Sequence, residues 1–282
     1  MAKELYKVKQ IYTDTYAITD YGFDTMAVYM YLLIGENAAL LIDCGYGILD
    51  IKKIIREITD KPLICACTHG HLDHALGAGQ FEKAYMHSKD SEVYARHTDP
   101  EFLRMTGNRG GILTRVSKRK RNDPAYQKLF EQFVKVERPK KLLPLEEQQA
   151  FELGNRRVTW YPLPGHTPGN VAFYDEKYNA LFDGDGASYG FWIFLDESLP
   201  LSEYRSVLEG YIRYAKGLGN PNRFCGHKNT PSTVKDLEKL LACVDVALMK
   251  KPITIPLLTP LGDAQVLFAK GGMMFYNKNK LR

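Results

Sequence analysis

No stretch of the 282-residue sequence reaches the roughly 18 consecutive apolar residues that a membrane-crossing helix needs. The opening residues, MAKELYKVKQIYTDTYAITD, lack the apolar core and small-residue cleavage pattern of a signal peptide. With Met1 in place, the expectation is a cytosolic (cytoplasmic) protein with no membrane partner. Cysteines are few and odd in number: Cys44, Cys65, Cys67, Cys225 and Cys243. A chain this long can bury its own core, so a disulfide framework is not needed and reduced thiols are expected. Cys65 and Cys67 would share one face of a strand, and their spacing is tighter than a usual zinc signature, so they read as small buried residues. Net charge is only +5, and much of the excess lies in RVSKRKR, Arg115 to Arg121. Without interleaved aromatics that segment reads as a solvated loop, and a nucleic-acid partner is not expected. Histidine is scarce as well, with seven in the chain.

What is present is a soluble globular composition, 45% hydrophobic and 25% charged. The first third alternates strands and turns. KVKQIYTDTYAIT, MAVYMYLLIG and NAALLIDCG each close near glycine. Ile48, Ile51, Ile54, Ile55 and Ile58 recur at helical spacing, and KPLICACT then reads as a buried strand. Residues 88–143 differ: SKDSEVYARH and PAYQKLFEQFVKV look helical, with a Gly-rich basic stretch between them. They read as a helical insertion that could act as a lid on one main domain. Strands resume with QQAFELGNRRVTWYPLPG and NVAFYDEKYNALFDGDG, with a hairpin turn at residues 175–179. Two helices follow, the second with Pro231 after a Thr230 N-cap. QVLFAKGGMMFYN reads as a closing pair of strands.

The scarce histidines are concentrated. THGHLDH places His69, His71, Asp73 and His74 within six residues, just past a buried strand. Their spacing does not share one helical face, and suits a tight loop entering a helix. Gly70, Ala75, Gly77, Ala78 and Gly79 keep the neighbourhood small. His166 in LPGHTPGN, Asp185 in LFDGDG, His227 in RFCGHKNTPS and Asp43 in LLIDCG repeat one pattern: an apolar strand, then His or Asp beside glycine. Imidazole and carboxylate together suit zinc- or iron-type divalent cations. His87 and His97 fall outside the pattern and read as ordinary surface or turn residues.

THGHLDH, PGHTPG, LFDGD and the Gly-His at His227 together resemble the metallo-β-lactamase-fold hydrolase superfamily, from about Tyr16 to Thr230. The resemblance implies an α/β (α+β) fold, a four-layer αββα sandwich carrying a two-metal site at one edge. It implies that His69, His71 and His166 hold one ion, that Asp73, His74 and His227 hold the second, and that Asp185 bridges them. Asp43 would support the histidine loop. Cys44 stands where the family commonly has the Thr of DTG. The cofactors implied are two divalent ions, zinc first, with iron or manganese also suited to these donors. Such ions lower the pKa of a bridging water from 15.7 to about 7, giving a hydroxide that Asp73 could orient.

The reaction implied is metal-assisted hydrolysis of an ester, lactone or thioester of a small molecule. GDGASYG is similar to the DASY stretch of acyl-homoserine lactonases with one residue added, which makes Tyr189 a catalytic candidate. Glyoxalase II-like thioester hydrolysis competes, although THGH lacks the further histidine of that family. Flavodiiron proteins carry Glu where this chain has His71. A mononuclear iron dioxygenase acting on sulfur, as in the persulfide dioxygenases, is the alternative from a different reaction class, and a phosphodiesterase or nuclease is the second. Tyr189 to Phe194 (YGFWIF) and Tyr126, Phe130 and Phe133 are candidate walls of an apolar pocket. The two C-terminal helices or the insertion could serve as an interface in a homo-oligomer.

Overall fold

Alternating apolar residues decide how the strands stack, because successive side chains point to opposite faces. The structure, a computed structural model, describes residues 5–22, 26–108, 123–135, 137–147, 149–249, 252–259 and 261–282. The first sheet has seven strands whose spatial order follows the sequence: β1 (Tyr6–Tyr12), β2 (Thr15–Asp20), β3 (Val28–Ile34), β4 (Ala39–Ile42), β5 (Leu63–Ala66), β6 (Lys83–Met86) and β7 (Lys141–Pro144). β1 to β4 pair antiparallel, and β4 to β7 pair parallel. The second sheet contains β8 (Phe151–Glu152), β9 (Arg157–Pro162), β10 (Val171–Asp175), β11 (Ala180–Gly184), β13 (Asn222–Cys225) and β14 (Lys228–Ser232), in the order β14-β13-β11-β10-β9-β8. The hairpin expected at residues 175–179 joins β10 to β11, with Asp175 opposite Ala180.

The two sheets pack face to face. Leu33, Leu40 and Ile42 of the first meet Val158, Phe173 and Phe182 of the second. The alternate residues of the first sheet, Leu32 and Leu41 among them, face outward onto Ile51, Ile54 and Ile55 of α1 (Ile51–Arg56). On the far side, Ala172 and Leu181 lie under α6 (Leu201–Gly217) and α7 (Val234–Ala247), through Tyr204, Leu208, Leu237 and Val244. The result is a four-layer αββα sandwich. A third sheet, β12-β17-β16-β15, adds β12 (Phe191–Ile193), β15 (Ile255–Thr259), β16 (Gly262–Ala269) and β17 (Gly272–Tyr276). Its Leu267 and Met274 join the α6/α7 core. The expected closing pair of strands is β16 and β17, and the chain extends it to four.

Residues 88–143 carry α3 (Ser91–His97), α4 (Pro100–Asn108) and α5 (Pro124–Val134), and their last residues already belong to β7 at the edge of the first sheet. The basic residues Arg115 to Arg121 lie outside the described residues. The Thr230 N-cap is corrected. Lys228–Ser232 is used as β14, with Ser232 opposite Arg223, so the helix cannot start until Thr233. Asp236 there accepts the Thr233 backbone N–H at 2.9 Å, a capping-box contact.

Candidate metal centre

Five loops leave one edge of the sandwich together. They follow β4 (Asp43), β5 (His69 to His74), β9 (His166), β11 (Asp185) and β13 (His227). The THGHLDH loop runs into α2 (Leu72–Ala75), as its spacing predicts. Gly77 permits its close seat against β4: a Cβ there would stand 2.0 Å from the Cys44 carbonyl oxygen. Asp90, fully buried, ties this loop to the next. It accepts N–H bonds from Gly70 (2.8 Å) and Gly169 (2.6 Å) and the Thr167 hydroxyl (2.7 Å).

Ligand-type atoms of His69, His71 and His166 all lie within 4.8 Å of one another, and so do those of Asp73, His74 and His227. Asp185 stands between the groups: Oδ2 is 3.0 Å from His227 Nε2 and 3.6 Å from His166 Nε2, and Oδ1 is 3.5 Å from His74 Nε2. Four of the five rings are held from behind. Asp43 accepts from His74 Nδ1 (2.8 Å) and from the Thr68 backbone N–H (2.7 Å). Thr68 Oγ1 donates to Asp43 and lies 3.0 Å from His69 Nδ1. His166 Nδ1 donates to the Trp192 carbonyl at 2.7 Å, and His227 Nδ1 to the Ala27 carbonyl at 2.9 Å. Cys44, in the DTG-like position, gives its thiol to the His74 carbonyl at 3.3 Å.

Asp43 therefore occupies the supporting place that its motif implies. It does so at φ +60°, a left-handed conformation that Asp tolerates better than most residues.

The donor set fits a divalent cation. His69 Nε2, His166 Nε2 and Asp185 Oδ1 are buried and find no hydrogen-bond partner among the described residues. Such atoms cost about 1–3 kcal/mol each when left unsatisfied, and here they face one another. Burial holds the imidazoles of His69 and His71 below their usual range and that of His166 down to about 4. They are thus neutral, the form that ligates. Burial also works against charge on His74 and His227, but Asp185 and Asp73 outweigh it and raise both.

Sequence reasoning left out two residues at this edge. Glu197 Oε1 is 2.8 Å from His71 Nε2, and Arg96 lies 2.6 Å from Glu197 Oε2. His97, read from sequence as an ordinary turn residue, is buried and stacks on His71 with ring centroids 4.5 Å apart. That expectation is corrected. The three come together only through tertiary packing, because α3 returns over the histidine loop while Glu197 arrives from beyond β12.

The centre opens into a cavity of about 360 Å³. Asp73, His71 and Asp185 lie among its lining residues, and Met26, Phe102, Met105, Trp192, Met273 and Phe275 give it apolar wall. The YGFWIF strand contributes by alternation. Trp192 faces the cavity, while Phe191 stacks on Tyr204 at 4.3 Å inside the core. Tyr189 lines the cavity and is 64% exposed, so it is a rim residue rather than core packing. Tyr126, Phe130 and Phe133, expected as pocket walls, instead pack with Tyr46, Leu76 and Leu103 beneath α4. The apolar stripe of α5 is thus spent on this cluster, and Phe102 and Met105 of α4 supply the wall in their place.

Comparison with known proteins identifies the family and the fold. The family model described as "Metallo-beta-lactamase superfamily" matches residues 24–227. The acyl-coenzyme A thioesterase MBLAC2 of Gallus gallus is 28% identical over 165 residues, 55% of this chain and 56% of that protein. Its Homo sapiens counterpart is 26% identical over 168 residues, 55% of this chain and 57% of that protein. The chain thus spans a little over half the length of these relatives. The crystal structure of the DIM-1 metallo-beta-lactamase superposes with a TM-score of 0.61 at 15% identity, covering 86% of this chain and 99% of that one, a likeness of fold alone.

Proposed function

Since the chain belongs to the metallo-beta-lactamase superfamily, we propose that it is a hydrolase that uses two divalent ions, zinc first, to cleave small-molecule thioesters with an apolar acyl group. The observation that carries this reading is the convergence of buried, unpartnered donor atoms at the inner end of an apolar cavity. When bound, the ions would lower the pKa of a water to about 7 and polarise the substrate carbonyl. The first would be held by His69, His71 and His166, the second by Asp73, His74 and His227, with Asp185 shared. The second group is one that a mononuclear iron oxidoreductase would not need, which favours hydrolysis. The apolar wall favours an acyl chain over a phosphodiester. The thioesterase activity in the name of the MBLAC2 relatives points to thioesters among the carbonyl substrates.

In this reading Asp73 faces the cavity, orients the attacking water and holds the proton it gives up. It then returns that proton to the departing thiolate. Met105, Trp192 and Phe275 take the acyl chain and exclude water from it. Tyr189 at the rim donates its hydroxyl to the carbonyl oxygen or the leaving group. The five thiols, all free and buried, suit a reducing compartment such as the cytoplasm.

The test is metal content after purification without added metal or chelator, followed by hydrolysis of acyl-CoA esters, lactones, β-lactams and phosphodiesters. About two zinc ions per chain and a preference for longer acyl thioesters is the expected result. A single iron would overturn the two-ion centre. Turnover of lactones alone would overturn the thioester assignment.

A further inference from the structure

The five clustered histidines are not all turned the same way. His69, His74, His166 and His227 have Nδ1 on a hydrogen-bonding partner behind the ring, which leaves Nε2 for the centre. His71 is reversed, with its Nε2 2.8 Å from Glu197 Oε1. An ionised carboxylate can only accept. The proton of neutral His71 therefore sits on Nε2, and Nδ1 is left with the lone pair.

We propose that Glu197 is the positioning residue that selects this tautomer of His71 and aims Nδ1 at the candidate metal centre. The proposal rests on the metal-centre reading above. Glu197 is itself fixed from two sides, by Arg96 at 2.6 Å and by His97 Nε2 at 3.6 Å. His97 Nδ1 accepts the Leu72 backbone N–H at 3.2 Å, so Nε2 carries the hydrogen and points it at the carboxylate. His71, His97 and Glu197 have ligand-type atoms within 4.8 Å of one another, a spacing that would also suit a cation. Both imidazole nitrogens facing the carboxylate bear hydrogen, so the trio clamps the carboxylate through one hydrogen bond, from His71, and one longer contact, from His97. Arg96 and His97 sit on α3 and line the cavity beside Glu197. One carboxylate thus sets both the pose of His71 and the place of the pocket wall.

The experiment uses metal-free protein first, recording the ¹⁵N spectra of the histidine side chains. The wild type is expected to show His71 with Nε2–H. Glu197→Ala should mix the tautomers. Glu197→Gln, whose amide oxygen can still accept, should keep Nε2–H. Zinc is then titrated in competition with a chromophoric chelator. Glu197→Ala should weaken one of the two sites on the order of 10–100-fold, as loss of an orienting partner does, and Glu197→Gln less. If Glu197→Ala does not fold, Glu197→Gln and Arg96→Gln carry the affinity test. An Nδ1–H tautomer in the wild type would overturn the proposal. So would a Glu197→Ala protein of lower melting temperature whose His71 tautomer and zinc affinity are unchanged, since a purely structural ion pair predicts that. Tautomers as expected in a protein that binds no zinc would sustain the positioning role and overturn the metal-centre reading.

Discussion

Gly226, immediately before His227, offers a clean perturbation of the centre. A Cβ built there would lie 2.3 Å from His74 Cε1 and 2.6 Å from Asp185 Oδ1. Its φ is not in the left-handed region, so alanine meets no backbone penalty and the effect is steric alone. The backbone cannot retreat. The Gly226 N–H donates to the Gly184 carbonyl at 2.8 Å, and its carbonyl accepts from the Tyr29 N–H at 2.8 Å. The neighbouring side chains must therefore yield by more than about 1 Å to restore a normal carbon–carbon contact. His74 is pinned through Nδ1 by Asp43, so the strain passes to Asp185 and opens its spacing to His227. A misplacement of about 1 Å costs on the order of 100-fold in turnover, and overpacking costs roughly 1–3 kcal/mol. Gly226→Ala should lose one of two zinc ions in chelator competition, drop turnover on that scale, and unfold in less urea when metal-free. Gly217→Ala is the control, because nothing lies within 4 Å of a Cβ there. Wild-type zinc affinity and turnover in Gly226→Ala would refute the reasoning that these atoms form the working centre.

Further outcomes follow from the same contacts. Asp43→Ala leaves the Thr68 N–H and His74 Nδ1–H without an acceptor, so the metal-free protein should lose about 1–3 kcal/mol per orphaned group in a urea titration. Asp43→Asn should lose less, and an unchanged midpoint for Asp43→Ala would contradict the network. Burial pushes the Asp20 carboxyl up to about 7 despite N–H bonds from Gly22 and Tyr46. The folded pKa lies above the unfolded value of 3.8, so this contribution to stability is complete below that value and is lost as pH rises through about 7. Unfolding midpoints should fall between about pH 4 and pH 7 in the wild type and flatten in Asp20→Asn, and parallel curves would refute this. Each methylene of an acyl chain that the cavity buries should add about 0.8 kcal/mol, or roughly fourfold in kcat/KM. Trp192→Ala should reduce that increment, as a chain-length series would show.

Much of the architecture was legible because its signals are local. The apolar, β-forming run of MAVYMYLLIG, helical spacing in the Ile48–Ile58 stretch and glycines closing the strands all act within a few residues. The histidine and aspartate positions were legible for a related reason. A loop seated tightly against a strand end needs small residues beside it, and the THGHLDH neighbourhood shows them. Glu197 was not legible: an acidic residue after FWIFLD carries no periodicity, and its meaning comes from His71, 126 positions away in sequence. His97 reads from sequence as a surface or turn residue for the same reason, since its partners His71 and Glu197 are distant in sequence. The Thr230 cap failed because strand pairing with β13 outcompeted a good local helix-start signal. Tyr126, Phe130 and Phe133 show that an apolar stripe gives a helix a buried face without saying what it is buried against.

The pairing of β12 with β17 has a consequence for biosynthesis. Trp192, whose carbonyl holds His166 Nδ1, lies on a strand whose parallel neighbour is Gly272–Tyr276. During translation the THGHLDH loop is made long before that neighbour. At 5–20 residues per second the delay is roughly 10–40 s. For that interval the nascent chain has the loop but lacks the strand that braces the His166 carbonyl partner. A ribosome stalled ahead of Gly272 would therefore display the histidine loop without the strand that braces the Trp192 carbonyl against His166.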